Sequence, residues 1–458
     1  MINLITIARQ LASFIRQYSP LSVEEMCPIT LSILCYRFAS YDMVKETKGI
    51  KDPWKDLLTN LEKDNEDTRY IIRAALLEGS VMFTDRQMPD LYYRAVQEIL
   101  RIPRGGFCGN YIYKIDECTK DYCAPGYREG LFEEIMHLHG GRRLELVPWD
   151  VCSLISRIVR KSINNKKDLR LYDPSCGVGT LAMSVLNRNS DIVSTIILRN
   201  ASMLQSDMAR LNMFVNGINQ YDLKNEDVLS DEWFLTERYN VITCLPPWGV
   251  RRRIEPIKWK NLSLRYPRYK ELPFDNGFML RCLESLTEDG VMALAVPLSL
   301  LYQLGVGEDI RRQIIAHNDL RAVIGLPVNM LYSTSVAFAL MVFQHSDKRN
   351  GVLMINAKNL FENNGRLNRL SLAYQNIIIR CYSSKDDVSG LSRLVPYEEI
   401  ANNKYSLLPS QYVTNPIAEQ QMISDKIGEI NKLVVKMKDI VQEHNVYLRQ
   451  LGLPELDV

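Results

Sequence analysis

The chain has 458 residues, of which 46% are hydrophobic and 24% are charged, with 56 Lys and Arg against 54 Asp and Glu. These values are typical of a globular protein of two or three domains, and they exclude a disordered or strongly basic chain. Because the net charge is only +2, any surface that binds nucleic acid must be a local patch.

Cysteine usage and hydropathy restrict the cellular setting. No apolar run reaches the roughly 18 residues of a membrane-spanning helix, and the N-terminus lacks a signal-peptide pattern. The ten Cys have no repeated short spacing, which favours free thiols, and we predict a cytoplasmic protein. The nearest approach to a metal pattern matches no zinc arrangement, so no metal site is predicted; it consists of Cys108, Cys118, Cys123, His137 and His139.

Residues 1–130 are predicted to form an all-helical first domain. Apolar residues recur at helical spacing in the stretches 21–38, 54–61 and 91–100. Glycine and proline residues then interrupt the pattern between positions 105 and 126, which indicates a junction between two domains.

Residues 131–350 alternate between helix and strand patterns and are predicted to form a second domain. Val151, Leu154, Ile155, Ile158 and Val159 have the spacing of a helix with one buried face. Short apolar runs separated by helical segments follow at 195–198, 239–244, 291–296, 320–326 and 337–343. This alternation is typical of a parallel, doubly wound α/β sheet.

The remaining chain divides into a strand and loop extension at 351–414 and a terminal helix at 415–458. Asn415 and Pro416 supply a helix cap and a first-turn proline. Apolar residues then alternate four and three positions apart at Ile423, Ile427, Ile430, Val434, Met437 and Val441. Such a coiled-coil-like seam favours a partner helix on another subunit; packing on the chain's own helical domain is the alternative.

A predicted strand leads directly into a glycine loop, Asp173-Pro174-Ser175-Cys176-Gly177-Val178-Gly179-Thr180. The two glycines allow the backbone to pass close to a ligand. In open α/β sheets, ligands bind at the carboxyl ends of the strands. The loop therefore predicts a ligand site, with a plain turn as the alternative.

Leu245, Pro246, Pro247 and Trp248 follow a second predicted strand. The aromatic ring of Trp248 offers a flat surface on which a planar ligand can stack. The alternative is a buried aromatic that closes the pocket.

A basic stretch with interleaved aromatic residues follows these prolines. Its basic residues are Arg251, Arg252, Arg253, Lys258, Lys260, Arg265, Arg268 and Lys270. Basic side chains beside Trp259, Tyr266 and Tyr269 suit a nucleic-acid backbone. A solvated basic loop is the alternative.

With these motifs the chain resembles the modification subunits of type I restriction-modification systems, adenine-specific DNA methyltransferases that use S-adenosylmethionine. Three further stretches carry the resemblance: Asp275-Asn-Gly-Phe-Met-Leu, Ala295-Val-Pro-Leu-Ser and Val323-Ile-Gly-Leu-Pro. The resemblance implies a class I methyltransferase fold, with a doubly wound, Rossmann-like sheet, an N-terminal helical domain and a C-terminal helix.

The resemblance also implies a set of cofactor-binding residues: Pro148, Asp173, Pro174, Ser175, Cys176, Gly177, Gly179, Thr180, Asn200 and Asp227. Asp227 corresponds to the acid that meets the adenine of the cofactor. Asn200 stands where the family has a ribose-binding Glu, so it lacks a charge-assisted hydrogen bond. Val147 replaces a Thr that precedes the proline in the family.

The fourth motif departs most from the family pattern of Asn-Pro-Pro and an aromatic. In the family, the Asn oxygen and a backbone carbonyl accept hydrogen bonds from the amine of a flipped adenine. Here Leu245 takes the Asn position, and Asn240 replaces an acid five residues earlier. Trp248 and the two prolines keep the platform on which an extruded base can stack. Losing one positioned polar partner at a reacting group costs on the order of 10² to 10³ in rate.

Three functions therefore remain open. The favoured one is a DNA-binding family member that is weakly active or inactive, a pseudoenzyme. The second is an active adenine methyltransferase in which another group replaces the Asn, and the third is a methyltransferase with a non-DNA acceptor. The expected partners are double-stranded DNA and, through the terminal helix, a specificity subunit or second methyltransferase subunit.

Overall fold

The computed structural model describes most of the chain. The described residues are 4–79 except 48 and 64–66, 94–163 except 96, 141–143 and 145, 166–230, 237–255, 269–345 except 333, 350–414 except 364 and 366, and parts of 433–456.

Helices build the described N-terminal region: α1 (Leu4–Tyr18), α2 (Val23–Glu46), α3 (Pro53–Lys63), α4 (Thr68–Gly79), α5 (Phe107–Thr119) and α6 (Arg128–Gly140). Helix α2 begins with a capping box, in which Ser22 Oγ accepts from the Glu25 N–H at 3.2 Å and the Glu25 carboxylate accepts from the Ser22 N–H at 2.8 Å. Helix α6 packs against α1 and α2, so the helical layer continues beyond residue 130.

The strands, in chain order, are β1 (Leu169–Asp173), β2 (Val193–Asn200), β3 (Asp222–Asn225), β4 (Tyr239–Cys244), β5 (Arg253–Ile254), β6 (Leu272–Pro273), β7 (Leu286–Pro297), β8 (Leu320–Gly325), β9 (Phe338–Phe343), β10 (Gly351–Asn356), β11 (Glu362–Asn363), β12 (Asn368–Arg369) and β13 (Ser392–Pro396). Nine of them form one sheet in the order β13-β10-β8-β9-β7-β4-β1-β2-β3. Strand β5 pairs with β6, and β11 pairs with β12.

Helices cover both faces of the sheet: α7 (Trp149–Ser162), α8 (Thr180–Asn189), α9 (Met203–Val215), α10 (Phe274–Glu284), α11 (Val306–Ala316), α12 (Leu372–Ser384), α13 (Tyr397–Asn402) and α14 (Pro409–Tyr412). A short 3₁₀ helix, Leu298–Leu301, follows β7. Successive residues of β4 point to opposite faces, so Val241 belongs to one hydrophobic core and Ile242 to the other.

The doubly wound fold is confirmed, and the sheet is mixed rather than wholly parallel. Pairing is parallel from β3 through β2, β1 and β4 to β7. Strand β9 is antiparallel to both β7 and β8, and β13 is antiparallel to β10. The described residues between β8 and β9 form no helix, so the chain turns back there without the crossover that parallel pairing requires.

The C-terminal part of the chain is divided between the sheet and the terminal segment. Strands β10 and β13 lie beyond residue 350, where the sequence predicts a separate extension, and they continue the nine-stranded sheet. Of the terminal helix, residues 415–432 lie outside the described part, whereas residues 433–438 are helical and exposed.

The helical region has a hydrophobic core of its own, which Met208 and Leu211 of α9 join. Cys108, Cys118 and Cys123 are buried in this core, and His139 Nε2–H donates to the Ala8 carbonyl at 2.9 Å. All ten cysteines are buried free thiols. Within the described residues, no helix is long and apolar enough to cross a membrane, and no His, Cys, Asp and Glu side chains group as metal ligands.

Candidate active site

A cavity of about 890 Å³ lies at the C-terminal ends of β1 and β4. From β1 the chain proceeds outward through β2 to β3, and it then returns to β4 on the other side of β1. The strand order therefore reverses between β1 and β4. In open α/β sheets this reversal creates a crevice in which ligands bind.

The cavity brings together most of the residues that the sequence predicts for cofactor and acceptor. Those that line it are Asp173, Pro174, Ser175, Cys176, Gly177, Thr180, Asn200, Asp227, Leu245, Pro246, Pro247, Trp248 and Arg252. Pro148 and Gly179 do not line it. Pro148 instead caps α7, where its carbonyl accepts from the N–H groups of Val151 and Cys152 at 3.1 Å, and the cavity wall there is formed by Val147.

Hydrogen bonds from neighbouring elements hold the glycine loop. The Cys176 N–H donates to the Arg199 carbonyl at 3.0 Å. The carbonyls of Gly177 and Val178 accept from the side-chain amides of Asn200 and Asn212, both at 3.0 Å. The loop is therefore fixed to β2 and α9 before any ligand binds.

The two glycines of the loop have different roles. Both have positive φ, 55° at Gly177 and 81° at Gly179, a conformation that favours glycine. A Cβ at Gly177 would meet nothing within 4 Å, whereas a Cβ at Gly179 would lie 3.1 Å from the end of Met213. Gly177 thus leaves room for a ligand, and Gly179 allows α8 and α9 to pack closely.

Asp173 is buried at the end of β1, at the base of the cavity. Its Oδ1 accepts from the Ser175 N–H at 3.1 Å. Burial raises the pKa of Asp173 to about 7, although hydrogen bonds from the Ser175 N–H and the Cys244 thiol oppose this rise.

Asn200 and Asn240, the two asparagines singled out in the sequence, occupy different places. Asn200 lines the cavity, but its amide already donates to the Gly177 carbonyl and to Gln205 Oε1, and its oxygen accepts from the Ser202 N–H. Asn240 is not among the residues that line the cavity. Its Oδ1 accepts from the Arg170 N–H at 3.0 Å, which joins the starts of β1 and β4.

Asp227 is paired with a residue of the basic stretch. Its Oδ2 contacts Arg252 Nη1, and its Oδ1 accepts from the Leu229 N–H at 2.9 Å. Asp227 and Arg252 both line the cavity and are partly exposed. Residues that the sequence assigns to two different ligands therefore contact each other.

Leu245 and Trp248 form part of an apolar wall. Leu245 is half-buried and packs against the core of the sheet. The Trp248 indole N–H donates to the Ala295 carbonyl at 3.3 Å, and its ring lies 5.3 Å from the ring of Phe338. The indole is thus held in place by protein contacts while it also lines the cavity.

The basic stretch begins and ends at a small hairpin. Arg253 pairs with Pro273 and Ile254 with Leu272, so β5 and β6 bring its two ends together. Arg251, Arg252, Arg253 and Lys270 are exposed. Lys258, Lys260, Arg265 and Arg268 lie outside the described residues.

Several polar residues of the cavity were not predicted as site residues: Ser202, Gln205, Glu226, Asp275, Ser299 and Thr334. Asp275 begins one of the stretches that carry the family resemblance. Its place in that stretch was the only sign in the sequence that it belongs to the site. Its position in the first turn of α10, beside the cavity, depends on tertiary structure that no local pattern specifies.

Comparisons with known proteins identify relatives of this chain. The methylase subunit of the type I restriction enzyme MpnII from Mycoplasma pneumoniae is 25% identical over 328 residues, which are 65% of this chain and 60% of that protein. The chain thus spans about three fifths of that curated relative.

Solved structures share the fold at low sequence identity. The type I restriction-modification methyltransferase subunit from Streptococcus thermophilus superposes with a TM-score of 0.69 at 17% identity, covering 88% of this chain and 98% of the other. A structure from work on complex assembly and conformational transition of the type I R-M system has a TM-score of 0.61 at 14% identity, covering 96% and 98%.

The family model for N-6 DNA methylases matches residues 146–421, which include the whole nine-stranded sheet. Because this match extends over more than half of the chain, the protein belongs to the N-6 DNA methylase family.

Proposed function

We propose that this chain is a type I modification-subunit homologue that binds S-adenosylmethionine and DNA and that methylates adenine only weakly by itself. One observation carries the proposal: a single cavity joins the Asp173–Thr180 loop to the Leu245–Trp248 wall. The loop suits a cofactor, and the wall suits a flipped base. Leu245 supplies no side-chain acceptor for that base.

The cofactor half of the cavity fits an adenosyl ligand that approaches the backbone closely. Gly177 leaves open space where a side chain would begin. Thr180 Oγ1 is buried beside the cavity and has no hydrogen-bond partner among the described residues, so it is free to meet a polar ligand atom. When bound, S-adenosylmethionine supplies an electrophilic methyl group.

The acceptor half of the cavity would hold and orient the base. Trp248 is fixed by its hydrogen bond to the Ala295 carbonyl, and a fixed aromatic ring is a suitable platform for an extruded base. At the base amine, Leu245 offers only methyl groups. The loss of one positioned polar partner reduces the rate by about 10² to 10³, which accounts for the weak transfer that we propose.

Calorimetric titration of the full chain tests the cofactor assignment directly. S-adenosylmethionine and S-adenosylhomocysteine should both bind, with one site per chain. A chain that is folded by circular dichroism but binds neither compound would disprove the proposed function, since the proposed weak activity requires a bound cofactor.

For DNA, we expect the basic stretch to contact phosphates, because Arg251, Arg252 and Arg253 are exposed beside the cavity mouth. Each phosphate contact that is lost should lower the dependence of log affinity on log salt by about one. Affinity for duplex DNA should therefore fall, with a shallower salt dependence, when the three arginines are replaced by Ala. Unchanged affinity at matched salt would assign the stretch to a solvated loop.

The terminal helix suits a partner subunit. Its described residues 433–438 present exposed apolar side chains that include Val434 and Met437, and an apolar surface of this kind is typically covered in an assembly. Type I R-M complex assembly is the subject of the work behind one similar structure. We expect the corresponding partner here to be a specificity subunit.

A further inference from the structure

Among the described residues, one carboxylate oxygen in the cavity is buried without a hydrogen-bond partner. The carboxylates that line it are Asp173, Glu226, Asp227 and Asp275. Asp173 accepts from the Ser175 N–H, Glu226 pairs with Arg199 at 2.7 Å, and Asp227 pairs with Arg252. By contrast, Oδ1 of Asp275 is buried and has no hydrogen-bond partner among the described residues.

Asp275 belongs to the acceptor half of the cavity. It lies in the first turn of α10, which runs from the β5–β6 hairpin to β7, on the β4–β7 side of the strand reversal. Leu245, Trp248 and Ser299 line the cavity from the same side. A Cβ at Gly277 would lie 2.9 Å from Ile254, so α10 packs tightly on the hairpin and its first turn is held in place.

A buried acceptor without a partner costs free energy unless a ligand supplies the donor. The exocyclic amine of adenine carries two N–H donors. We infer that Asp275 accepts a hydrogen bond from the target amine and so helps to hold the base, a role that adds to the amide oxygen missing at Leu245 and does not replace it. This inference rests on the proposed function, because it takes the ligand of the acceptor half to be an adenine.

In this role, Asp275 would also accept the proton that methyl transfer releases from the amine. The amine nitrogen forms a bond to the methyl carbon as the bond between that carbon and sulfur breaks, and the bonding electrons neutralise the sulfonium. The methylated nitrogen then carries an extra proton, which passes to the Asp275 carboxylate and from there to water. Burial raises the pKa of Asp275, and a higher pKa makes the carboxylate a better proton acceptor.

Binding of two small bases tests the inference without methyl transfer. The probes are 9-methyladenine and 9-methylpurine, which differ only by the exocyclic amine. Each is titrated, with NMR detection, into the full chain saturated with S-adenosylhomocysteine. Because a hydrogen bond to a charged acceptor is a strong one, the wild type should prefer 9-methyladenine by about tenfold or more.

Three variants assign the preference to a residue. Asp275→Ala should abolish it, and Asp275→Asn, which keeps an acceptor oxygen, should retain part of it. Asp191→Ala removes a carboxylate that does not line the cavity and is exposed beside Arg160, and it should leave the preference unchanged. If the Ala variant does not fold, the reduced preference of the Asn variant is the deciding measurement.

The outcomes separate the two proposals. Failure to bind S-adenosylhomocysteine would disprove the proposed function itself. Normal binding of that compound, together with equal affinity of the wild type for the two bases, would overturn the role of Asp275 alone. An undiminished preference in both Asp275 variants would overturn it as well.

Discussion

Arg252 Nη1 contacts Asp227 Oδ2 at the edge of the cavity. The family resemblance predicts that Asp227 binds the adenine of the cofactor. Arg252 belongs to the basic stretch, which we expect to contact DNA phosphates. Neither group can serve its ligand fully while it is paired with the other. Cofactor and DNA should therefore assist each other's binding, since each ligand releases the residue that the other one needs.

Replacing Arg252 with Ala should free Asp227 and strengthen the binding of S-adenosylmethionine. Partly exposed ion pairs contribute about 0.2 to 1 kcal/mol, so the expected gain is roughly 1.4- to fivefold by calorimetry. Duplex DNA should strengthen cofactor binding by the wild type but not by the variant.

Arg253→Ala is the matched control, because the Arg253 side chain is 63% exposed and its nearest carboxylate oxygen, on Glu271, is 3.9 Å away. It should leave cofactor affinity unchanged. Equal cofactor affinity in the wild type and both variants would show that the ion pair does not restrict the site.

Gly177→Leu should abolish cofactor binding, because its side chain would enter the space that the glycine leaves open. Gly217→Leu is the control: Gly217 also has a positive φ, 72°, and open space around its Cβ position, but it does not line the cavity. Both variants should lose about 1 to 2 kcal/mol of stability from the strained backbone. If both bind S-adenosylmethionine as the wild type does, the glycine loop is not the cofactor site.

Asp173 should make the ligand-free protein less stable as the pH rises. Its pKa is about 7 in the folded chain, against an ordinary value of 3.8, so between these values the folded state holds a proton that the unfolded state has lost. Stability from this group is therefore fully present below about pH 3.8 and is lost as the pH rises to about 7.

Asp173→Asn removes this titration and keeps an acceptor for the Ser175 N–H. The variant should gain Tm relative to the wild type as the pH increases from 4 to 8, with a gain in unfolding free energy of at most about 4 kcal/mol. Thermal melts at several pH values measure the difference. Parallel Tm curves for the two proteins would contradict the raised pKa.

The terminal helix should depend on its apolar surface for assembly. Val434 and Met437 are 41% and 51% exposed, so changing both to Lys should release the proposed partner subunit without lowering the Tm of the methyltransferase domain. Lys436→Ala alters the same exposed segment without changing its apolar surface and should retain the partner. Co-purification of the partner with the double variant would contradict the assembly role.

Local patterns in the sequence predicted the parts of the fold that depend on local chemistry. The predicted strand at 239–244 coincides with β4, because a buried apolar run is bounded there by polar residues and prolines. The glycine loop lines the expected cavity for a similar reason. The antiparallel direction of β9 depends on the loop that joins β8 to β9. The apolar residues of the strand itself do not indicate this direction.

The polar contacts of the site were predicted less well, because they depend on tertiary position. Asn240 appears in the sequence as part of a degenerate site, yet it joins β1 to β4. Asp275 occurs in a recognised stretch, but only the folded chain shows that its buried oxygen lacks a partner among the described residues.

The proposed function requires that Leu245 limits methyl transfer. The most direct test follows tritiated methyl groups from S-adenosylmethionine into genomic DNA that lacks adenine methylation, with the wild type, Leu245→Asn and Leu245→Ala compared at equal concentration. We expect little incorporation by the wild type and the Ala variant, and an increase on the order of 10² with the Asn variant. Robust incorporation by the wild type, with the methyl groups mapped to adenine N6, would contradict the claim.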